Sequence, residues 1–212
     1  MIALSITSLS KSFRAGAAGC SASVSVLRDL DLALWPGEVV ALEGSRASGR
    51  STLIACAAGV LKPDAGTVLW LGARLPQPEA VVYARSGAPH AVGERSSAHG
   101  EPGALVASLS AAAPPGRAKL LLVDDLDSAE PIERRLVLSL LCAHALAGAA
   151  ILFTADEELA AVPFVTRAVS LANGVLVQRR KRSAARIAAS SRSSRARASA
   201  RSTYGRSLRS PQ

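Results

Sequence analysis

At 212 residues, 49% of them hydrophobic and 19% charged, the chain can enclose one sizeable α/β core but not two. Its net charge of +9 is concentrated at one end: from Arg179 onward there are eleven Lys plus Arg and no Asp or Glu, leaving residues 1–178 with fourteen basic and sixteen acidic side chains. The positive charge therefore belongs to the tail and says nothing about the body. Three cysteines, Cys20, Cys56 and Cys142, without metal or redox spacing exclude a disulfide framework and point to a reducing cytoplasm.

In chain order, Met1-Ile-Ala-Leu-Ser5 lacks the basic region and long apolar core of a signal peptide. The first clear element is Val39–Leu42, an apolar run that reads as a buried strand. It leads into Gly44-Ser45-Arg46-Ala47-Ser48-Gly49-Arg50-Ser51-Thr52, and Ser51–Val60, Ala-rich and free of Pro, reads as a helix. Residues 72–116 are rich in Pro, Gly, Ser and Ala. They predict a loop-rich segment with one helix over Ala104–Ala113. Leu120–Val123 predicts a second buried strand ending in Asp124 and Asp125. Leu136–Ala155 carries no formal charge and has the length of a membrane span. It divides better into a helix, with Leu138, Leu141, Cys142, Ala145 and Leu146 on one face and a stop at Gly148, and a strand over Ile151–Thr154. His90, His99 and His144 have no metal-ligand spacing and read as surface or half-buried residues. Residues 179–212, rich in Arg, Ser and Ala, lack the apolar bulk to fold and predict a disordered basic tail.

The chemistry sits between the strands and the helix. Residues 44–52 match the phosphate-cradling pattern G-x-x-x-x-G-K-[ST] except for Arg50 in the lysine position. A helix start presents unpaired backbone N–H groups and a positive dipole end to an anion, and glycines let the backbone curl around it. An acid at the tip of a buried strand lies where ligands bind in open parallel sheets. Asp124 and the Ser51 hydroxyl are suited to hold Mg²⁺, and Asp125 to orient a water for attack on a terminal phosphate.

In this order the motifs resemble the ATP-binding subunits of ABC transporters, along most of residues 1–178. Leu9-Ser-Lys-Ser-Phe13 is similar to that family's N-terminal strand, whose aromatic stacks on adenine. Val26–Leu34 with Trp35-Pro-Gly-Glu38, Leu61–Val68 and Ser170-Leu-Ala-Asn-Gly174 resemble the elements that lead to, follow and close the nucleotide domain. The resemblance implies a P-loop NTPase: an α/β fold with a mixed sheet and flanking helices over 1–178, followed by the tail at 179–212. It implies ATP and Mg²⁺ as ligands. The nucleotide would meet Phe13, Gly44, Ser45, Arg46, Ala47, Ser48, Gly49, Arg50, Ser51 and Thr52, the metal would meet Ser51 and Asp124, and Asp125 would be catalytic.

The departures are equally specific. Arg50 replaces the family's lysine, Ala47 a usual glycine and Asp125 a usual glutamate, while Ala155 occupies the place of a switch histidine. No Leu-Ser-Gly-Gly-Gln signature is present; its place falls near Arg95–His99. No glutamine follows Val81–Tyr83, and the short interval to Asp124 implies that the family's helical subdomain is mostly missing. These features predict ATP binding with weak hydrolysis. The implied partners are a membrane permease or a second ATP-binding subunit with an intact signature, with a homodimer disfavoured. The location implied is the cytoplasm, at or near the inner face of the membrane. The alternatives are an inactive nucleotide-binding regulatory module, or an adaptor whose tail binds nucleic acid or an anionic membrane surface.

Overall fold

The computed structural model describes residues 1–15, 22–77, 79–85, 88–90, 103–112 and 115–179. The chain divides into two units, Met1–Arg179 and Arg180–Gln212, and the second lies outside the described residues. So do the signature position, Arg95–His99, and Cys20.

Two sheets form the first unit. In the smaller, β1 (Leu4–Ala15) pairs antiparallel with β2 (Ala22–Leu34) on one side and β4 (Ala65–Trp70) on the other. Its register slips between Ile6 and Ser12, where Ser8 and, across the pair, Asp29 take positive φ. The displaced amides find side-chain acceptors: Ser8 N–H donates to Asp31 Oδ1 at 2.8 Å and Asp29 N–H to Ser10 Oγ at 3.0 Å.

The larger sheet has seven strands: β3 (Val39–Glu43), β5 (Val81–Arg85), β6 (Ala88–His90), β7 (Leu120–Asp124), β8 (Ala150–Thr154), β9 (Arg167–Ala172) and β10 (Val175–Arg179). They lie in the order β10-β9-β3-β8-β7-β5-β6, parallel at the centre with antiparallel strands at both edges. The central strands are apolar on both faces because both faces are covered. Val40, Leu42, Leu120, Leu122, Ala150 and Leu152 pack toward the small sheet and helix α1 (Arg50–Ala57). Their alternating neighbours pack on the opposite side, with α2 (Ala104–Ala112), α3 (Pro131–Leu146) and α4 (Glu157–Ala160). This alternation also aims the acid: Asp124 continues the Leu120–Leu122 series and so faces α1.

The expected strands and helices are all present, with corrections to their extents and faces. Val81–Arg85, inside the stretch expected to be loop-rich, is a strand of the parallel sheet, with only Arg85 exposed. Four residues buried on both faces have no alternation to betray them. Helix α1 stops at Ala57 rather than Val60: Gly59 turns left-handed, and the N–H groups of Gly59 and Val60 return to the carbonyls of Cys56 and Ala55. Helix α3 begins at Pro131, and its buried residues are Glu133, Val137, Leu141 and His144. Leu146, expected on the buried face, is 85% exposed, while His144, expected at or near the surface, is buried. Gly148 does end this helix, with φ of 88°. The charge-free stretch is thus divided between α3 and β8, and among the described residues no helix is long and apolar enough to cross a membrane.

Candidate functional site

Strand β3 ends at the carboxyl edge of the large sheet, and the chain turns through residues 44–49 into α1. Ser48 N–H donates to the Ser45 carbonyl at 3.1 Å, tightening the loop. Two residues in it are left-handed, Ala47 at φ 63° and Gly49 at φ 100°. Gly49 needs its glycine twice over, since a Cβ there would lie 2.9 Å from Val26 Cγ1 and 3.1 Å from Leu27 Cδ2. Ala47 adopts a conformation that costs an L-residue with a Cβ about 1–2 kcal/mol.

The loop floors a cleft of about 680 Å³ lined by Phe13, Val26, Gly44, residues 46–52, Asp125, Asp127 and Ser128. Phe13 is 41% exposed and stands at its side, with the Lys11 ammonium 5.6 Å from the ring centroid. Of the residues expected to meet a nucleotide, Ser45 alone is absent from the lining. Asp124 lies behind the lining, fully buried, and accepts a hydrogen bond from Ser51 Oγ at 3.1 Å. Its Oδ1 also accepts from the Asp125 N–H at 2.9 Å, whereas its buried Oδ2 has no hydrogen-bond partner. Burial and the neighbouring Asp125 carboxylate push Asp124 up to about 6, while Arg85 and the Ser51 hydrogen bond pull the other way. A buried carboxylate with one unused oxygen beside a hydroxyl is a donor set that fits a hard divalent cation.

Three of the diverged positions have definite structures. Arg50 Nη1 is held by Asp127 Oδ2 at 2.9 Å and by the carbonyl of Ala155 at 3.1 Å. The guanidinium thus lines the cleft while already paired. Asp125 is left-handed, φ 59°, and its Oδ2 meets Arg85 Nε at 3.1 Å. Ala155 is buried and presents only a methyl group to its surroundings, its carbonyl being taken by Arg50.

Val26, Asp127 and Ser128 line the cleft and Arg85 pairs with its acids, none of them singled out by sequence reasoning. Asp127 reaches the cleft because a single 3₁₀ turn, Leu126–Ser128, folds the chain back; Leu126 N–H donates to Thr154 Oγ1 at 3.2 Å and anchors that turn to β8. Arg85 had a readable signal. Parallel neighbours end at one edge, and register places Arg85 opposite Asp124 once β5 is recognised as a strand.

A strand, a left-handed phosphate loop and a helix start, facing a hydroxyl–carboxylate pair at the carboxyl edge of a parallel sheet, define a P-loop NTPase fold. Residues 27–98 match the ABC transporter family. The first 70-residue match is 50% identical to the ribose import ATP-binding protein RbsA 1 of Streptomyces coelicolor, over 33% of this chain and 12% of that one. A 43-residue match is 49% identical to the zinc import ATP-binding protein ZnuC of Pseudomonas syringae, over 20% and 16% of the two chains. The matched stretches therefore span less than a fifth of these relatives' lengths. The fold is similar to the dimeric structure of a bacterial ABC transporter cassette, with a TM-score of 0.63 at 15% identity, covering 84% of this chain and all of that one. A second structure of that cassette, in a post-hydrolysis state bound to ADP and Pi, gives a TM-score of 0.59 over 84% of this chain and all of that one, again at 15% identity. Over residues 27–98 the chain resembles the ABC transporter family, and its fold is that of an ABC transporter cassette.

Proposed function

We propose that this chain binds ATP with Mg²⁺ in the cleft above residues 44–52 and serves as a slowly hydrolysing ATP-binding subunit of an ABC-type transport system. The observation that carries the reading is the Ser51–Asp124 hydrogen bond at the foot of the left-handed loop. It places a hydroxyl and an acid together where a phosphate-bound metal would need them. Residues 44–52 would cradle the phosphates and Phe13 would stack on the base. When bound, Mg²⁺ would neutralise charge on the phosphate oxygens, with Ser51 and Asp124 as its protein partners. The relatives' names, ribose and zinc import ATP-binding proteins, support a membrane permease as partner, and a place at the cytoplasmic face of the membrane follows from that partnership.

Weak turnover is argued from the paired groups. Asp125 carries one methylene fewer than glutamate and is tied to Arg85, so it is poorly placed to orient a water. Ala155 has no side-chain donor. These same features favour the second reading, a regulatory module that holds nucleotide without turning it over.

Calorimetric titration with a non-hydrolysable ATP analogue tests binding. Absence of heat and of any thermal shift at millimolar ligand, in folded protein, would sink the nucleotide site. Phosphate release separates the two readings: a trace of turnover well below ~1 s⁻¹ fits the subunit and none fits the module. If the defect is local, Asp125→Glu combined with Ala155→His raises the rate more than either change alone, because groups that act as a unit are non-additive.

A further inference from the structure

We propose that Arg85 is a resident counter-cation for the acid pair Asp124–Asp125, so that nucleotide binding here leans less on Mg²⁺ than Ser51 and Asp124 alone would require. This rests on the nucleotide-site reading above and adds a residue that sets its metal dependence. The placement follows from topology. Strands β5 and β7 are parallel neighbours, Arg85 is in register with Asp124, and both end at the edge where the phosphate loop opens. The guanidinium Nε lies 3.1 Å from Asp125 Oδ2 and 3.6 Å from Asp124 Oδ2. That second oxygen is the buried one without a hydrogen-bond partner, so the arginine sits on the side from which a cation would satisfy it.

Local charge gives the arrangement its consequence. Arg46, Arg50 and Arg85 stand in or beside the cleft against Asp124, Asp125 and Asp127, and Arg50 is already paired with Asp127. Without Arg85, the carboxylates beside the incoming triphosphate would be left in excess, and a captured divalent ion would have to offset their repulsion. With Arg85 present, part of that compensation is built in. A guanidinium keeps its charge throughout the pH range of a folded protein, whereas a metal must be taken from solution. The same charge, 3.6 Å from Asp124 Oδ2, opposes an arriving metal ion and weakens its binding.

The test is a ratio of affinities. The full chain is titrated by calorimetry with a non-hydrolysable ATP analogue, once in excess Mg²⁺ and once in EDTA. The wild-type dissociation constants are expected to differ by less than about tenfold. In Arg85→Gln the ratio is expected to grow by at least about tenfold, chiefly through weaker binding in EDTA. Arg85→Lys, which keeps the charge, stays near wild type. A wild-type ratio above about tenfold, or an unchanged ratio in Arg85→Gln, overturns the role of Arg85 while leaving the nucleotide site standing. No wild-type binding under either condition overturns both readings at once. The wild-type ratio decides the matter even if Arg85→Gln does not fold.

Discussion

Ala47 shows how a single methyl group can tax a binding loop. Its φ of 63° is a conformation in which the Cβ crowds the backbone, and the loop adopts it regardless. Ala47→Gly should relieve that strain, at the cost of a more flexible unfolded chain. The net gain should be about 0.5–1 kcal/mol, a rise in Tm of a few degrees for a domain of this size. Thermal unfolding of the full chain measures it; an unchanged or lowered Tm would show that the strain is illusory. Arg50 illustrates a different point. Its identity was visible in the sequence as a departure from the phosphate-loop pattern, but its pairing with Asp127 and Ala155 was not, because that depends on a 3₁₀ turn and a strand end more than seventy residues away. Charged side chains announce themselves in a sequence; their partners are chosen by the fold.

Elements were legible to the extent that their periodicity survived packing. Val39–Leu42 and Leu120–Val123 were read from short apolar runs because acid or glycine punctuation followed them. Val81–Arg85 lacked that punctuation in a segment rich in Pro and Gly, and was missed. On α3 the expected face is largely the packed one, since Leu138 and Ala145 lie against the core beside buried Leu141; Leu146, five residues and about 140° beyond Leu141, turns away from it and is 85% exposed. The start of this helix at Pro131 brings in Glu133, whose Oε1 accepts the Leu105 N–H at 2.9 Å. One helix thus supplies the cap for the first turn of another. Glu133→Ala would leave that buried donor unpaired and should cost about 1–3 kcal/mol, with Glu133→Gln retaining most of the stability. Urea denaturation reads both variants. Equal midpoints for Glu133→Ala and wild type would mean that water satisfies Leu105 as well as the carboxylate does.

For the whole molecule, the site is asymmetric in what it can offer. Its loop retains the parts that would hold ATP, whereas Arg95–His99, where the resemblance would put the signature, carries no Ser-Gly-Gly. Two copies would therefore make a poor ATP sandwich, and a partner with an intact signature would complete this chain's site without being completed in return. The eleven positive charges from Arg179 onward add repulsion between copies, which physiological salt partly screens. Light scattering of the full chain should show the same mass with and without Mg-ATP. A nucleotide-dependent doubling of mass would mean that a segment unlike the signature performs its task.

The two sheets meet near Val26, and that contact reaches the loop of residues 44–49 from behind. Arg28 N–H donates to the Gly174 carbonyl at 2.8 Å, and a Cβ on Gly174 would lie 2.7 Å from the Val26 carbonyl oxygen. Val26 in turn touches the space beside Gly49 and lines the cleft. A hairpin turn more than 120 residues downstream thus acts as a shim behind the phosphate loop. In a library of random variants screened for nucleotide retention, substitutions at position 174 should score with those at position 49, while neighbours such as Ala172, exposed beside the same turn, should stay silent. Such a map would trace a line of mechanical thrust through the domain, from its closing turn, through one valine, to the loop proposed to hold the nucleotide.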